Sequence, residues 1–137
     1  GNMIVGSSRT LAEVTRDMNA VVRKLGLGQG NVAVVRKAAQ LRNLINANPF
    51  SDAAEARPSE LAVYFFTRAR PDFSWLQSYS GPERVHVTGT HIFVDYSGRL
   101  SASPRLPGLI EKRSGTVTAR NWNTVRGLWE RAAARAL

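Results

Sequence analysis

Cysteine is absent from this 137-residue chain, which excludes disulfides, thiolate metal sites and cysteine nucleophiles. Long apolar runs are also absent, because no stretch approaches the roughly eighteen residues that a membrane helix needs, and we expect no membrane partner. The opening residues GNMIVGSS lack the charged start and apolar middle of a signal peptide, so we expect a cytoplasmic location. The length fits one domain, and a hydrophobic content of 43% is enough for its core.

Acidic residues are few: ten stand against nineteen basic residues, for a net charge of +9. Such a balance favours an anionic partner, with nucleic acid the first candidate. A compositional interpretation competes with it, because sixteen of the nineteen are arginine and alanine is abundant, as in proteins of GC-rich genomes. The charge is unevenly distributed: from Arg99 onward the sequence has eight basic residues and only two acidic ones, Glu111 and Glu130. An anion would therefore bind in the C-terminal third.

Helical periodicity and capping residues mark the first part of the chain. Thr10 and Glu13 form a capping box that begins a helix ending at Gly26. NVAVV, residues 31–35, predicts a short buried strand, residues 37–47 a second helix, and residues 51–60 a polar loop. The apolar stripe of the first helix consists of Leu11, Val14, Met18, Val21 and Leu25, and the second helix turns Leu41, Leu44 and Ile45 inward.

The middle of the chain predicts strands. LAVYFF, Leu61–Phe66, is a continuous apolar run typical of a central strand covered on both faces, and residues 71–79 predict a short helix. Residues 83–96 alternate in period two around Gly89, which predicts a hairpin with a type II′ turn and an ion pair between Arg84 and Asp95. One hairpin face would carry Val85, Val87, Ile92, Val94 and Tyr96; the other would carry Arg84, His86, Thr88, His91, Phe93 and Asp95.

A short helix over residues 106–113, an extended segment at residues 116–118 and a last helix beginning at Asn121 or Asn123 complete the pattern. Helices mixed with strands and a hairpin predict an α+β fold, with the helices packed on one face of a sheet.

Familiar catalytic and metal patterns are missing. His86 and His91 lack the further ligands that zinc requires, so we interpret them as solvent-exposed strand histidines and expect no metal. No Gly-x-Ser-x-Gly elbow and no paired carboxylates are present, and the glycines of GLGQG, residues 26–30, follow a helix where a phosphate loop would precede one. We therefore expect no catalytic residue and no cofactor.

TARNWNTV, residues 118–125, combines Arg, two Asn, Trp and two Thr at a predicted helix start. One interpretation is architectural: Asn121, Asn123 or Thr124 caps the helix and Trp122 fills the core. The other is functional, because a helix start beside Arg120 attracts anions and tryptophan can stack on a base. Both interpretations stay open.

The residues ARNWNTV (119–125), GLIEKR (108–113) and NPF (48–50), with an opening GN, resemble the bacterial domain-of-unknown-function family sixteen-ninety-seven. The resemblance implies a ferredoxin-like fold with a mixed sheet. It also implies that residues 1–137 form a single α+β domain that is a fragment, lacking an N-terminal strand-helix unit. Residues 2–5 would then pair irregularly or with another copy of the chain. Pro104-Arg105-Leu106 departs from the family's Ser-Lys-Leu, although a basic residue is kept.

Two hypotheses about function follow. The first is a non-enzymatic module that binds a phosphate-bearing partner such as nucleic acid. The second is part of an enzyme that needs the further unit, with Arg120 and Asn123 orienting substrate; a purely structural role for the motif is a third possibility. The candidate binding residues are Arg105, Lys112, Arg113, Arg120, Asn121, Trp122, Asn123 and Thr124.

Overall fold

The structure, a computed structural model, describes residues 2–26, 33–97 and 105–135. Within these residues the chain forms five α-helices, four β-strands and two short 3₁₀ helices, Pro58–Glu60 and Ser74–Ser78. The helices are α1 (Leu11–Lys24), α2 (Ala38–Asn46), α3 (Ser51–Ala56), α4 (Arg105–Ser114) and α5 (Trp122–Arg135). The strands are β1 (Leu61–Phe66), β2 (Arg84–Thr88), β3 (His91–Asp95) and β4 (Val117–Asn121).

The four strands form one sheet in the order β2-β3-β1-β4, and each neighbouring pair is antiparallel. The chain passes from β1 through the second 3₁₀ helix to β2 and β3, and then through α4 to β4. This succession and strand order are those of the ferredoxin-like βαββαβ unit. The α+β class is thus confirmed. The sheet is antiparallel where a mixed one was expected, because each crossover joins two strands that are not neighbours, and the strand between them runs in the opposite direction.

β1 is central, as its apolar sequence predicts. Side chains alternate along a strand, so Val63 and Phe65 point to one face of the sheet while Tyr64 and Phe66 point to the other. All four are buried. We call the Val63 side the first face and the Tyr64 side the second face.

Helices cover both faces, where the sequence suggested one. The first face packs against α2, α3 and α5, and the second against α4 and the 3₁₀ helix Ser74–Ser78. The reason lies in β3 as well as β1, because the neighbouring Ile92 and Phe93 point to opposite faces and are both fully buried. Each face must therefore be covered by a layer of its own.

The hairpin is confirmed residue by residue. Arg84 pairs with Asp95, and Thr88 pairs with His91, in the register that the alternation predicts. Gly89 has a φ of 59°, the positive value that the first position of a type II′ turn requires.

Two predicted segments are wrong. Residues 51–60 are not a polar loop but contain α3 and a 3₁₀ helix, because Ala53 packs fully buried in the core. Residues 33–35 form no strand, and the Ala33 N–H donates to the side-chain atom Asn19 Oδ1 at 2.7 Å where a strand would bond to a neighbouring backbone. Residues 31 and 32 lie outside the described part of the chain.

Helix α1 begins as predicted, with the Thr10 side chain accepting a hydrogen bond from the Glu13 N–H. It nevertheless buries none of its residues, and Val21 and Leu25 are 48% and 67% exposed. Residues 2–5 form no strand either. In the described residues no helix has the length and apolar character needed to cross a membrane.

Candidate functional site

The motif at residues 118–125 joins β4 to α5. Asn121 is the last residue of β4 and Trp122 the first of α5, so the chain turns from sheet to helix without a loop. The Asn121 Oδ1 atom accepts a hydrogen bond from the Thr124 N–H at 3.0 Å, which is the geometry of a helix N-cap. Of the predicted capping residues, the structure therefore selects Asn121.

Trp122 belongs to the core. Its side chain is 5% exposed, and its ring lies 6.2 Å from that of Phe93, centroid to centroid. A buried indole presents no face to a nucleobase, so the predicted stacking role of Trp122 is wrong. The physical reason is the helical period, which places Trp122 beside the fully buried Val125 on one face of α5.

Loss of the cap has a predictable cost. We expect Asn121→Ala to lower the free energy of unfolding by about 1 kcal/mol, because the Thr124 N–H loses its acceptor. Asn123 is the matched control: it is exposed, and its Oδ1 atom lies 3.5 Å from Arg126 Nη2. Asn123→Ala should cost less than about 0.5 kcal/mol. Urea unfolding of both variants measures the difference, and equal losses would contradict the assignment of Asn121 as the cap.

The predicted binding residues do not form one cluster. Arg120 pairs with Val63 across β1 and β4, so both side chains point to the first face of the sheet. Its Nε–H donates to Asn2 Oδ1 at 2.7 Å. Arg105, Lys112 and Arg113 lie instead on α4, which covers the second face. The sheet thus separates Arg120 from the α4 group.

The α4 group gains a member that the sequence did not indicate. A Cβ atom placed on Gly115 would lie 2.8 Å from Arg68 Nε, so the Arg68 side chain lies across the turn that follows α4. Arg68, Arg105, Lys112 and Arg113 are all exposed. No local pattern points to Arg68, because 47 positions separate it from Gly115 in sequence. We call these four residues the α4 basic face.

A buried ion cluster is centred on Asp95, whose side chain is fully buried. Arg57 donates to both carboxylate oxygens at 3.1 and 2.6 Å, and Arg84 donates to Oδ2 at 3.0 and 2.7 Å. Ser97 adds its N–H and its hydroxyl, each at 3.0 Å. Burial alone would raise the pKa of Asp95, but these hydrogen bonds outweigh it and hold the pKa well below its usual range. The cluster confirms the predicted Arg84 to Asp95 pair and saturates the carboxylate, which favours a structural role.

His91 is buried, 7% exposed, so the interpretation as a solvent-exposed histidine is wrong for it. Its Nε2 atom accepts a hydrogen bond from Arg36 Nε at 3.1 Å, and its ring packs edge to face on Phe65. Burial, assisted by the Arg36 charge, lowers the pKa of His91 to about 4, so the ring is neutral. His86 remains exposed. Across the described ranges, no three His, Asp or Glu side chains come together as a metal site.

Residues 1–93 match the family described as protein of unknown function, DUF1697. The match runs from α1 to the middle of β3 and ends before the motif at residues 118–125. No curated protein and no solved structure gives a significant match.

Proposed function

The chain belongs to the DUF1697 family of proteins of unknown function, and we propose that it is a non-enzymatic module that binds nucleic acid through the α4 basic face. The observation that carries the proposal is the grouping of Arg68, Arg105, Lys112 and Arg113, all exposed, on one helix and the turn beside it.

The spacing of these cations suits a chain of phosphates. Arg105 and Lys112 are seven residues apart, which places them on the same side of α4 at about 10 Å from each other along the helix axis. Arg113 lies in the last turn of α4, and Arg68 lies against Gly115 just beyond it. A polyanion that follows α4 can contact each of these charges in succession.

These four cations also take part in no ion pair of the described residues. The ion pairs in the described part of the chain involve Arg9, Arg57, Arg84 and Arg126, and none involves the α4 basic face. Other arginines are neutralised, as Arg57 and Arg84 are by Asp95. The unneutralised cations therefore leave a local positive potential along α4.

Helix electrostatics explain only part of this arrangement. Lys112 and Arg113 in the last turn stabilise the helix dipole by about 0.3–1 kcal/mol each. Arg105 lies in the first turn, where a positive charge is unfavourable for the helix. Its place there supports a role in binding.

The proposed interaction is electrostatic. Arginine and lysine bind phosphates whatever the base sequence, and the burial of Trp122 removes the stacking contact that the sequence suggested. We therefore expect affinity that falls steeply with salt and depends little on base sequence.

The test uses paired charge removals. We expect Lys112→Ala with Arg113→Ala to weaken binding of a fluorescein-labelled single-stranded oligonucleotide about tenfold at low salt. The slope of log affinity against log salt should fall by about 1.4, since each lost phosphate contact on a single strand contributes about 0.7. Fluorescence anisotropy measures both quantities, with DNA and RNA of the same sequence.

Arg16→Ala with Arg42→Ala is the matched control, because it removes the same charge from exposed positions on α1 and α2. It should leave both affinity and slope nearly unchanged. An equal loss in the two double variants would mean diffuse attraction by net charge, and the α4 basic face would not be the site. Absence of binding by the unaltered protein at low salt would sink the proposed function itself.

Location and self-association are also parts of the proposal. We place the protein in the cytoplasm, where nucleic acid is accessible. Self-association through residues 2–5 is supported by the exposure of Met3 and Val5, which are 71% and 49% exposed.

A further inference from the structure

Helix α1 carries an apolar stripe with the spacing of a coiled coil. Its members are separated by alternating steps of three and four residues: Leu11, Val14, Met18, Val21 and Leu25. These steps are those of the a and d positions of a heptad repeat, through which one helix packs against another. Leu25 continues the stripe because its backbone keeps right-handed helical angles. We call these five residues the α1 seam.

The core of the protein does not use the α1 seam. Neither of the two core clusters of the described residues includes a member of it. α1 buries none of its residues, and Val21 and Leu25 are 48% and 67% exposed. A polar contact, from the Ala33 N–H to Asn19 Oδ1, attaches the helix to the segment that follows it. Large apolar side chains left open along one side of a helix are typical of an interaction surface.

The charges beside the α1 seam indicate what covers it. Asp17 and Lys24 each precede a seam residue and are seven positions apart, so they flank the seam on the same side at about 10 Å from each other along the axis. A second α1 that runs antiparallel brings the partner's Lys24 against Asp17 and the partner's Asp17 against Lys24. In a parallel pair Asp17 would instead meet an apolar residue, the partner's Val22. The charge pattern is therefore complementary to an antiparallel copy of itself.

Both charges are accessible. Arg9 contacts the Oδ2 atom of Asp17, but the Asp17 side chain is 48% exposed, and a carboxylate has about four acceptor positions. Lys24 is exposed, and the ion pairs of the described residues do not involve it. The carboxylates of Glu13 and Asp17 would repel an anionic lipid surface, so the charges favour a second copy of the chain.

We propose that α1 is the interface of a two-fold symmetric homodimer, in which the α1 seams of two copies pack antiparallel. Asp17 of each protomer pairs with the partner's Lys24, and the two-fold axis makes this contact twice. The seam spans two heptads, so the dimer is weak and depends on protein concentration. This interface does not rest on nucleic-acid binding, and it uses a segment other than residues 2–5.

The test measures the dimer dissociation constant of the intact protein by sedimentation equilibrium at physiological salt. Lys24→Asp should weaken the dimer about tenfold, because two ion pairs become two repulsive contacts. Arg16→Asp is the matched control, since it changes the net charge equally from an exposed position of α1 outside the seam. It should change the dissociation constant less than about twofold, because the salt screens its charge.

A charge exchange tests the pairing itself. Asp17→Lys should weaken the dimer as Lys24→Asp does, and the double variant should recover most of the lost affinity, because the ion pairs form again with exchanged signs. Circular dichroism should show every variant folded, since α1 buries no residue. Equal weakening by Lys24→Asp and Arg16→Asp would overturn the proposal, as would a double variant that recovers nothing.

The location of the interface is tested separately. Val21→Asp should abolish the dimer, whereas Met3→Asp should leave it intact. The reverse result would place self-association at residues 2–5 and remove α1 from the interface. An unaltered protein that stays monomeric at about 1 mM would also overturn the proposal, and its sedimentation with phosphatidylserine vesicles would then assign the α1 seam to a lipid surface.

Discussion

Replacing Trp122 by alanine is expected to lower the free energy of unfolding by about 3–5 kcal/mol. The indole is 5% exposed and packs against Phe93 and Val125 in the core cluster of the first face. Its removal leaves a cavity that α5 and the sheet cannot close, because Asn121 ties the start of α5 directly to β4. Urea unfolding followed by far-ultraviolet circular dichroism measures the loss without relying on tryptophan emission.

Trp129 provides the control within the same helix, since it is only partly buried against the same cluster. Trp129→Ala should cost clearly less than Trp122→Ala. If Trp122→Ala cost less than about 1 kcal/mol while oligonucleotide binding disappeared, Trp122 would have to be accessible to ligand, and its place in the core would be incorrect.

The hairpin and β1 could be predicted because their evidence is local. Period-two alternation fixes which hairpin residues share a face, and Gly89 fixes the turn, so the Arg84 to Asp95 pair follows from residues 83–96 alone. LAVYFF likewise identifies a central strand through its lack of polar residues. The cap at Thr10 is read from Thr10 and Glu13 without knowledge of the rest of the chain.

The elements that could not be predicted depend on distant partners. Nothing within residues 51–60 shows that Ala53 packs in the core or that Arg57 reaches Asp95, 38 positions away. His91 looks like an exposed strand residue until Arg36 is placed beside it. The hairpin register puts His91 and Asp95 on one face, but only helices from elsewhere in the chain decide that this face is buried.

The candidate sites divide in the same way. The charge count placed cations in the C-terminal third, and three of them do lie together on α4. Arg68 joins them only through the turn at Gly115.

Asp95→Asn should lower the free energy of unfolding by about 3 kcal/mol, because it breaks a buried ion cluster. The amide keeps the shape of the side chain but removes the charge, and its NH₂ group would face the donors of Arg57 or Arg84. The cost lies at the lower end for a broken buried pair because both arginines are partly exposed and can turn toward water. Chemical unfolding at neutral pH measures it.

Asp52→Asn is the matched control, since Asp52 contacts the same two arginines with a side chain that is 62% exposed. An exposed ion pair adds little to stability because water and salt screen it, so this variant should stay close to the unaltered protein. Equal losses from the two substitutions would mean that burial of Asp95 does not set the strength of the cluster.

The dependence on pH separates Asp95 from His91. The lowered pKa of Asp95 means that its contribution is present above the unfolded carboxyl pKa of about 3.9 and is lost as pH falls below that value toward the native pKa. His91 acts at higher pH. Because its pKa in the folded protein is lowered to about 4, the unfolded histidine binds a proton before the folded one does, and the protein loses stability as pH falls from about 6.5 to 4. The difference in stability between the unaltered protein and Asp95→Asn should therefore be constant from pH 5 to 7 and shrink only below about pH 4. The titration of His91 is common to both proteins and cancels in this difference. If the difference shrank already between pH 6.5 and 5, where the Asp95 carboxyl does not titrate, the charge of Asp95 would not be its source.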